Sequence, residues 1–154
     1  MAANVSTIEV DRPPAEVFAY AIDPSRFSEW QENVVGGHME GDGPPAVGDK
    51  CVTARRIGFA ERPATSEVTH IDPPVSWGVP GTEGPIRAIV DVTVDARDHG
   101  TRSRLTIAID FEGHGIGKVL VPLVVRREAE KEMPENLQRL KERLEGGDAA
   151  SGVA

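Results

Sequence analysis

Two segments in the second half of the chain, RAIVDVTVDA at Arg87–Ala96 and SRLTIAIDFE at Ser103–Glu112, place apolar and polar residues in turn. In the second, Leu105, Ile107, Ile109 and Phe111 alternate with Arg104, Thr106, Ala108 and Asp110. Successive side chains of a strand point to opposite faces, so this pattern specifies a strand with one wet and one buried face. The RDHGT between the two segments supplies the glycine and polar residues of a hairpin connection. Further strand patterns lie in VSTIEV, NVVGGHME, KCVTARRIGF, ATSEVTHI and VSWGV. Parallel strands would need a helical crossover between each neighbouring pair, and no such segments separate these, so the sheet is predicted to be antiparallel.

Helical spacing appears at three places. In DRPPAEVFAYAI, Val17, Phe18, Ala21 and Ile22 fall on one face, Pro14 suits the first turn, and Asp23-Pro24 ends the helix. Asp23 or Ser25 can cap a second, shorter helix through RFSEWQ. After Gly117, Ala129, Met133, Leu137, Leu140 and Leu144 recur at steps of three and four to about Glu145, which is a helix with one apolar stripe. Pro122 is tolerable near the start of that helix, whereas Pro134 predicts a kink.

A chain of 154 residues forms one domain, expected over 1–145, with the small polar residues 146–154 as a disordered tail. Prolines and glycines cluster in GDGPPAVGD and DPPVSWGVPGTEGP, which marks turns between strands. The formal charge of −8 disfavours wide contact with nucleic acid or anionic lipid. The pair Arg126 and Arg127 sits in a charge-mixed segment and reads as a solvated helix face. A single cysteine, Cys51, cannot form an internal disulfide, and no apolar run is long enough for a signal peptide or membrane span. A cytoplasmic protein without membrane insertion is the expectation, as a monomer or homodimer.

The order of elements, with PPAEVFAYAIDPSRFSEWQENV, VGDK at Val47–Lys50, VTHIDPPVSW at Val68–Trp77 and EMPENLQRLKERLE, resembles the START-like and pollen-allergen superfamily. It is most similar to the polyketide cyclase/dehydrase branch, over nearly the whole chain. The resemblance implies an α+β helix-grip fold: a curved antiparallel sheet of about six to seven strands around a long carboxy-terminal helix, with two small helices after the first strand. It also implies an apolar cavity between sheet and helix that takes a small hydrophobic or aromatic molecule, with no cofactor. The fold hosts carriers, cyclases and interaction modules alike, so it does not select among them. Phe18, Trp30, Phe59, Trp77, Val90, Val92 and Phe111 are the candidates for cavity lining.

Candidate chemistry is sparse. His38, His70, His99 and His114 show no metal-ligand spacing, and no metal is expected. If His70 shares the face of Val68 it enters the sheet interior as a general base near neutral pH; otherwise it is a histidine hydrogen-bonded at a strand end. Arg55 and Arg56 are adjacent on a strand, so one points to the concave side, where a cation is costly without a carboxylate or a ligand oxygen. Some cyclase relatives hold a ketone with such an arginine, which makes Arg55, Arg56 and His70 the groups to consider if the chain is an enzyme. GHGIGK at Gly113–Lys118 lacks the spacing of a phosphate loop and reads as a turn between strand and helix.

Overall fold

The computed structural model describes residues 4–41, 43, 45–57, 60–83, 86–116, 118 and 126–146. Strand β1 (Asn4–Val10) leads to helix α1 (Pro14–Ala21), a 3-10 turn at Pro24–Arg26 and the short α2 (Phe27–Trp30). Seven strands follow: β2 (Val34–Glu40), β3 (Lys50–Ile57), β4 (Ala60–Glu67), β5 (His70–Asp72), β6 (Ser76–Glu83), β7 (Ile86–Arg97) and β8 (Arg102–Gly113). Helix α3 (Arg126–Glu145) ends the described chain. The strands form one antiparallel sheet in the order β1-β8-β7-β6-β4-β3-β2, with β5 attached to β6. Sheet and helix make the helix-grip arrangement.

Among the described residues the sheet has seven strands in its main path, with the short β5 as an eighth beside β6. The segment ATSEVTHI is divided, because Val68 and Thr69 leave the ladder between β4 and β5. The Val68 N–H donates to the Asp49 carbonyl at 2.9 Å and the Thr69 N–H to that of Gly78 at 2.9 Å. The β7–β8 hairpin turns through Asp98, His99 and Gly100, all with positive φ, and returns in register from Arg97↔Arg102 to Ile86↔Gly113.

The small helices form for local reasons. Pro14 occupies the first turn of α1, where its missing N–H costs nothing. Asp23 is the cap of the 3-10 turn, its Oδ1 accepting from the Ser25 N–H at 3.0 Å and from the Ser25 hydroxyl at 2.6 Å. The Tyr20 hydroxyl donates to Glu29 Oε1 at 3.0 Å and so ties α1 to α2. Burial, and then the Glu29 carboxylate, push the Tyr20 phenol well above its ordinary value. Gly37 lets the 3-10 turn approach β2, since a Cβ there would stand 2.9 Å from the Pro24 carbonyl oxygen.

In α3 the predicted stripe is buried at Met133, Leu137, Leu140 and Leu144. Pro134 lies inside the helix, which continues through it as one element. The expected beginning of this helix with Pro122, and the tail after Gly146, lie outside the described residues. At its carboxy-terminal end α3 is fastened to the start of the chain. Glu145 Oε2 accepts from the Asp11 N–H at 2.8 Å and from Lys141 Nζ at 2.6 Å. Arg12 donates to the Glu145 carbonyl at 3.0 Å, and the fully buried Ser103 hydroxyl donates to the Arg12 carbonyl at 2.8 Å.

Candidate ligand cavity

At the opposite end of α3 the sheet and helix stand apart around a partly open, mostly apolar chamber. The strands supply its walls by alternation. Cys51, Thr53 and Arg55 of β3 face inward, as do Ala64 and Ser66 of β4, Trp77, Val79 and Gly81 of β6, and Val90 and Val92 of β7. Phe27, Trp30 and Gln31 close the side formed by α2, and Met133 is the contribution of α3.

Trp30 and Trp77 are each 2 % exposed, and the indole N–H of each has no acceptor among the described residues. Phe27 meets Trp30 edge-on, with ring centroids 5.9 Å apart and planes at 81°, a favoured aromatic geometry. Arg139 donates to the Trp30 carbonyl at 3.3 Å and fixes the backbone of α2 to α3. The two indoles therefore sit in rigid positions with their donors unused. A buried donor left unpaired costs about 1–3 kcal/mol.

Two arginines border the chamber, Arg55 and Arg87, and Arg55 is the one held by neutral groups of its wall. Its Nε donates to the Thr53 hydroxyl at 3.3 Å and one terminal nitrogen donates to Gln31 Oε1 at 3.4 Å. Thr53 in turn donates to the Ala64 carbonyl at 3.4 Å, so a neutral chain orients the guanidinium. Burial lowers the Arg55 pKa from its ordinary value. Cys51 is buried beside Ser66, and burial raises its thiol against the hydrogen bond to that residue. A thiol so placed is a small wall group rather than a nucleophile.

Several sequence candidates meet here and others do not. Trp30, Trp77, Val90, Val92 and Arg55 border the chamber. Phe18 is 3 % exposed within the core and lies off the lining, to which α1 contributes only its last residue, Ala21. Phe111 is half-buried and likewise off the lining, and Phe59 lies outside the described residues. Arg56 is exposed on the convex side, as its alternation with Arg55 requires.

His70 does not share the face of Val68. Val68 is fully buried, but the break at Thr69 resets the alternation, and His70 pairs with Gly78, whose neighbours Trp77 and Val79 both point inward. The imidazole is half-exposed on the outside of the sheet, 3.9 Å from Asp91, and cannot reach the chamber. Gly78 leaves room for it, since a Cβ there would fall 2.2 Å from the ring.

Thr53, Gln31 and Ser66 escaped the sequence reading. Inward polar residues break the very alternation that identifies an inner face, and Gln31 follows too short a helix for its spacing to say anything. Among the described residues no group of three His, Cys, Asp or Glu could hold a metal ion, and no helix is long and apolar enough to cross a membrane.

Comparison with known proteins places this architecture. The family model described as polyketide cyclase / dehydrase and lipid transport matches residues 1–145. No curated protein sequence matches. A START superfamily protein from Mycobacterium smegmatis is similar with a TM-score of 0.67 and 15% identity, over 95% of this chain and 96% of that one. A polyketide cyclase-like protein from Corynebacterium glutamicum gives 0.62 and 22%, over 92% and 90%. The di-domain ARO/CYC BexL from the BE-7585A biosynthetic pathway gives 0.70 and 14%, over 94% of this chain and 47% of that one. At these identities the structures attest the fold, whereas the family model covers nearly the whole sequence: the chain belongs to the polyketide cyclase / dehydrase and lipid transport family.

Proposed function

We propose that this protein binds a small hydrophobic or aromatic molecule in the chamber between β3, β4, β6, β7 and α3. The observation that carries this reading is the pair of buried, unpartnered indole N–H groups on Trp30 and Trp77, set among apolar walls. A ligand with a ring and an oxygen acceptor supplies both the apolar contact and the missing acceptor, and apolar pockets with a few convergent polar groups are the usual form of such sites. Native mass spectrometry of the freshly purified protein against its denatured mass tests this directly. A retained small molecule of matching chemistry is the expected result. A bare mass together with no binding of the neutral dye N-phenyl-1-naphthylamine would sink it.

A second reading, a cyclase or dehydratase acting on an aromatic polyketide precursor, is favoured by one observation. Arg55 is an inward cation in an apolar chamber, positioned to polarise a ketone of an enolisable substrate while the walls hold it folded for ring closure. His70 has no part in that reading. Loss of turnover in Arg55→Gln with retained ligand binding supports it, and unchanged turnover rejects it.

A further inference from the structure

The chamber carries more positive charge at its mouth than the two readings above require. Arg55 on β3 is in register with Arg62 on β4. Residues directly opposite on antiparallel strands project to the same face with Cβ atoms about 5 Å apart, and like charges placed so repel. Arg62 is exposed where Arg55 is half-buried, so the pair runs from the chamber outward. Among the described residues neither arginine has an ion pair with a carboxylate. The hydrogen bonds of Arg55 go to the neutral Thr53 and Gln31 and use two of its five N–H groups. Glu61 is opposite Arg56 and therefore on the other face.

Two facing arginines without a counter-ion, one of them desolvated, are a costly arrangement in a chain of formal charge −8 that has carboxylates to spare. An anion between them removes the repulsion and the desolvation cost together. A small anion suits the place: the Arg55 guanidinium is oriented by Thr53, and much of the wall behind it is apolar. A planar carboxylate matches the fork of a guanidinium with two parallel hydrogen bonds.

We propose that the ligand of this chamber is an apolar or aromatic acid, its hydrophobic body between Trp30, Trp77 and Met133 and its carboxylate at the mouth between Arg55 and Arg62. This rests on the binding reading above and narrows it. The lowered pKa of Arg55 accords with a cation short of partners. Arg87 also borders the chamber.

The test uses N-phenyl-1-naphthylamine as a neutral reporter, displaced by three competitors on one skeleton: 2-naphthoate, methyl 2-naphthoate and 2-acetylnaphthalene. The quantity read is the ratio of affinities, acid over ester and acid over ketone. A charge-assisted pair predicts a ratio of at least about tenfold in the native protein, decreasing with added salt. That ratio is expected to fall to about one in Arg55→Gln and by a smaller factor in Arg62→Gln, whose exposed position keeps it informative if Arg55→Gln does not fold. Equal displacement by all three, or none by the acid while the dye is bound, overturns the acid proposal and leaves the chamber a neutral-ligand site. An acid preference that survives both substitutions overturns the arginine pair. Failure of the dye and of all three competitors to bind removes the binding reading, and this proposal with it.

Discussion

The two ends of α3 are built on opposite principles although one apolar stripe serves both. Toward Glu145 the helix packs closely on β1: Val10, Ser103, Leu105 and Leu140 are fully buried, and hydrogen bonds join Asp11, Arg12, Ser103, Lys141 and Glu145. Toward Met133 the same sheet diverges from the same helix around a chamber bordered by Trp30, Trp77 and Arg55, and both indole N–H groups are buried without a partner among the described residues. The first end is closed, and the proposed binding rests on the second. The contrast teaches that an unsatisfied group is informative where the neighbouring region shows that the chain can satisfy such groups.

The largest effect is expected from trimming one buried side chain at each end. Leu140→Ala removes a fully buried side chain from the closed end and is expected to cost about 2–5 kcal/mol in chemical denaturation. Trp30→Phe at the open end removes the orphan donor as well as part of the ring, and a far smaller loss, under about 1.5 kcal/mol, is expected. If the tryptophan substitution costs as much as the leucine, the open end is core and the division collapses.

An acid titration sharpens the comparison at intermediate size. Burial pushes the Glu145 carboxyl up, but the hydrogen bonds from Lys141 and the Asp11 N–H, with the charges of Lys141 and Arg12, outweigh it and leave the pKa below its ordinary value. A carboxyl depressed on folding stabilises the fold above its unfolded pKa of about 4.3, and the contribution disappears as the pH falls through the folded value. The melting temperature of the native protein is therefore expected to exceed that of Glu145→Gln near neutral pH, the difference shrinking below about pH 4.3 and vanishing once the pH has fallen through the lowered folded value. A constant difference across that window would show that the clamp acts through shape and not charge. Smallest in effect, Trp77→Phe is expected to leave stability nearly unchanged while weakening any ligand that accepts from its indole; an unchanged affinity would take Trp77 out of the binding role.

How far the sequence revealed this architecture depended on whether side chains obeyed their surroundings. The β7–β8 pair and the stripe from Met133 to Leu144 were legible because burial there follows hydropathy. The early start of β4 was not, since Ala60-Glu61-Arg62-Pro63 resembles a turn. The structure accommodates Pro63 because the recorded pairing of β4 with β6 involves only Thr65 and Ser66, so the first half of β4 has a partner on one side. Trp30 and Trp77 stood out by size alone, while Thr53 and Gln31, which aim Arg55, look like ordinary surface residues until the strands are folded. Arg62 became interesting only through its register with Arg55, a long-range fact that no local pattern encodes.

The α3 stripe has one more consequence. Met133 roofs the chamber and Glu145 anchors the far end of the same helix, 12 residues and about 18 Å away at the α-helical rise. On the binding reading proposed above, a guest that lifts Met133 displaces a helix pinned at its far end, so part of the load falls on Leu140 and Leu144. The thickness of such a guest would then be limited in part by side chains it never touches.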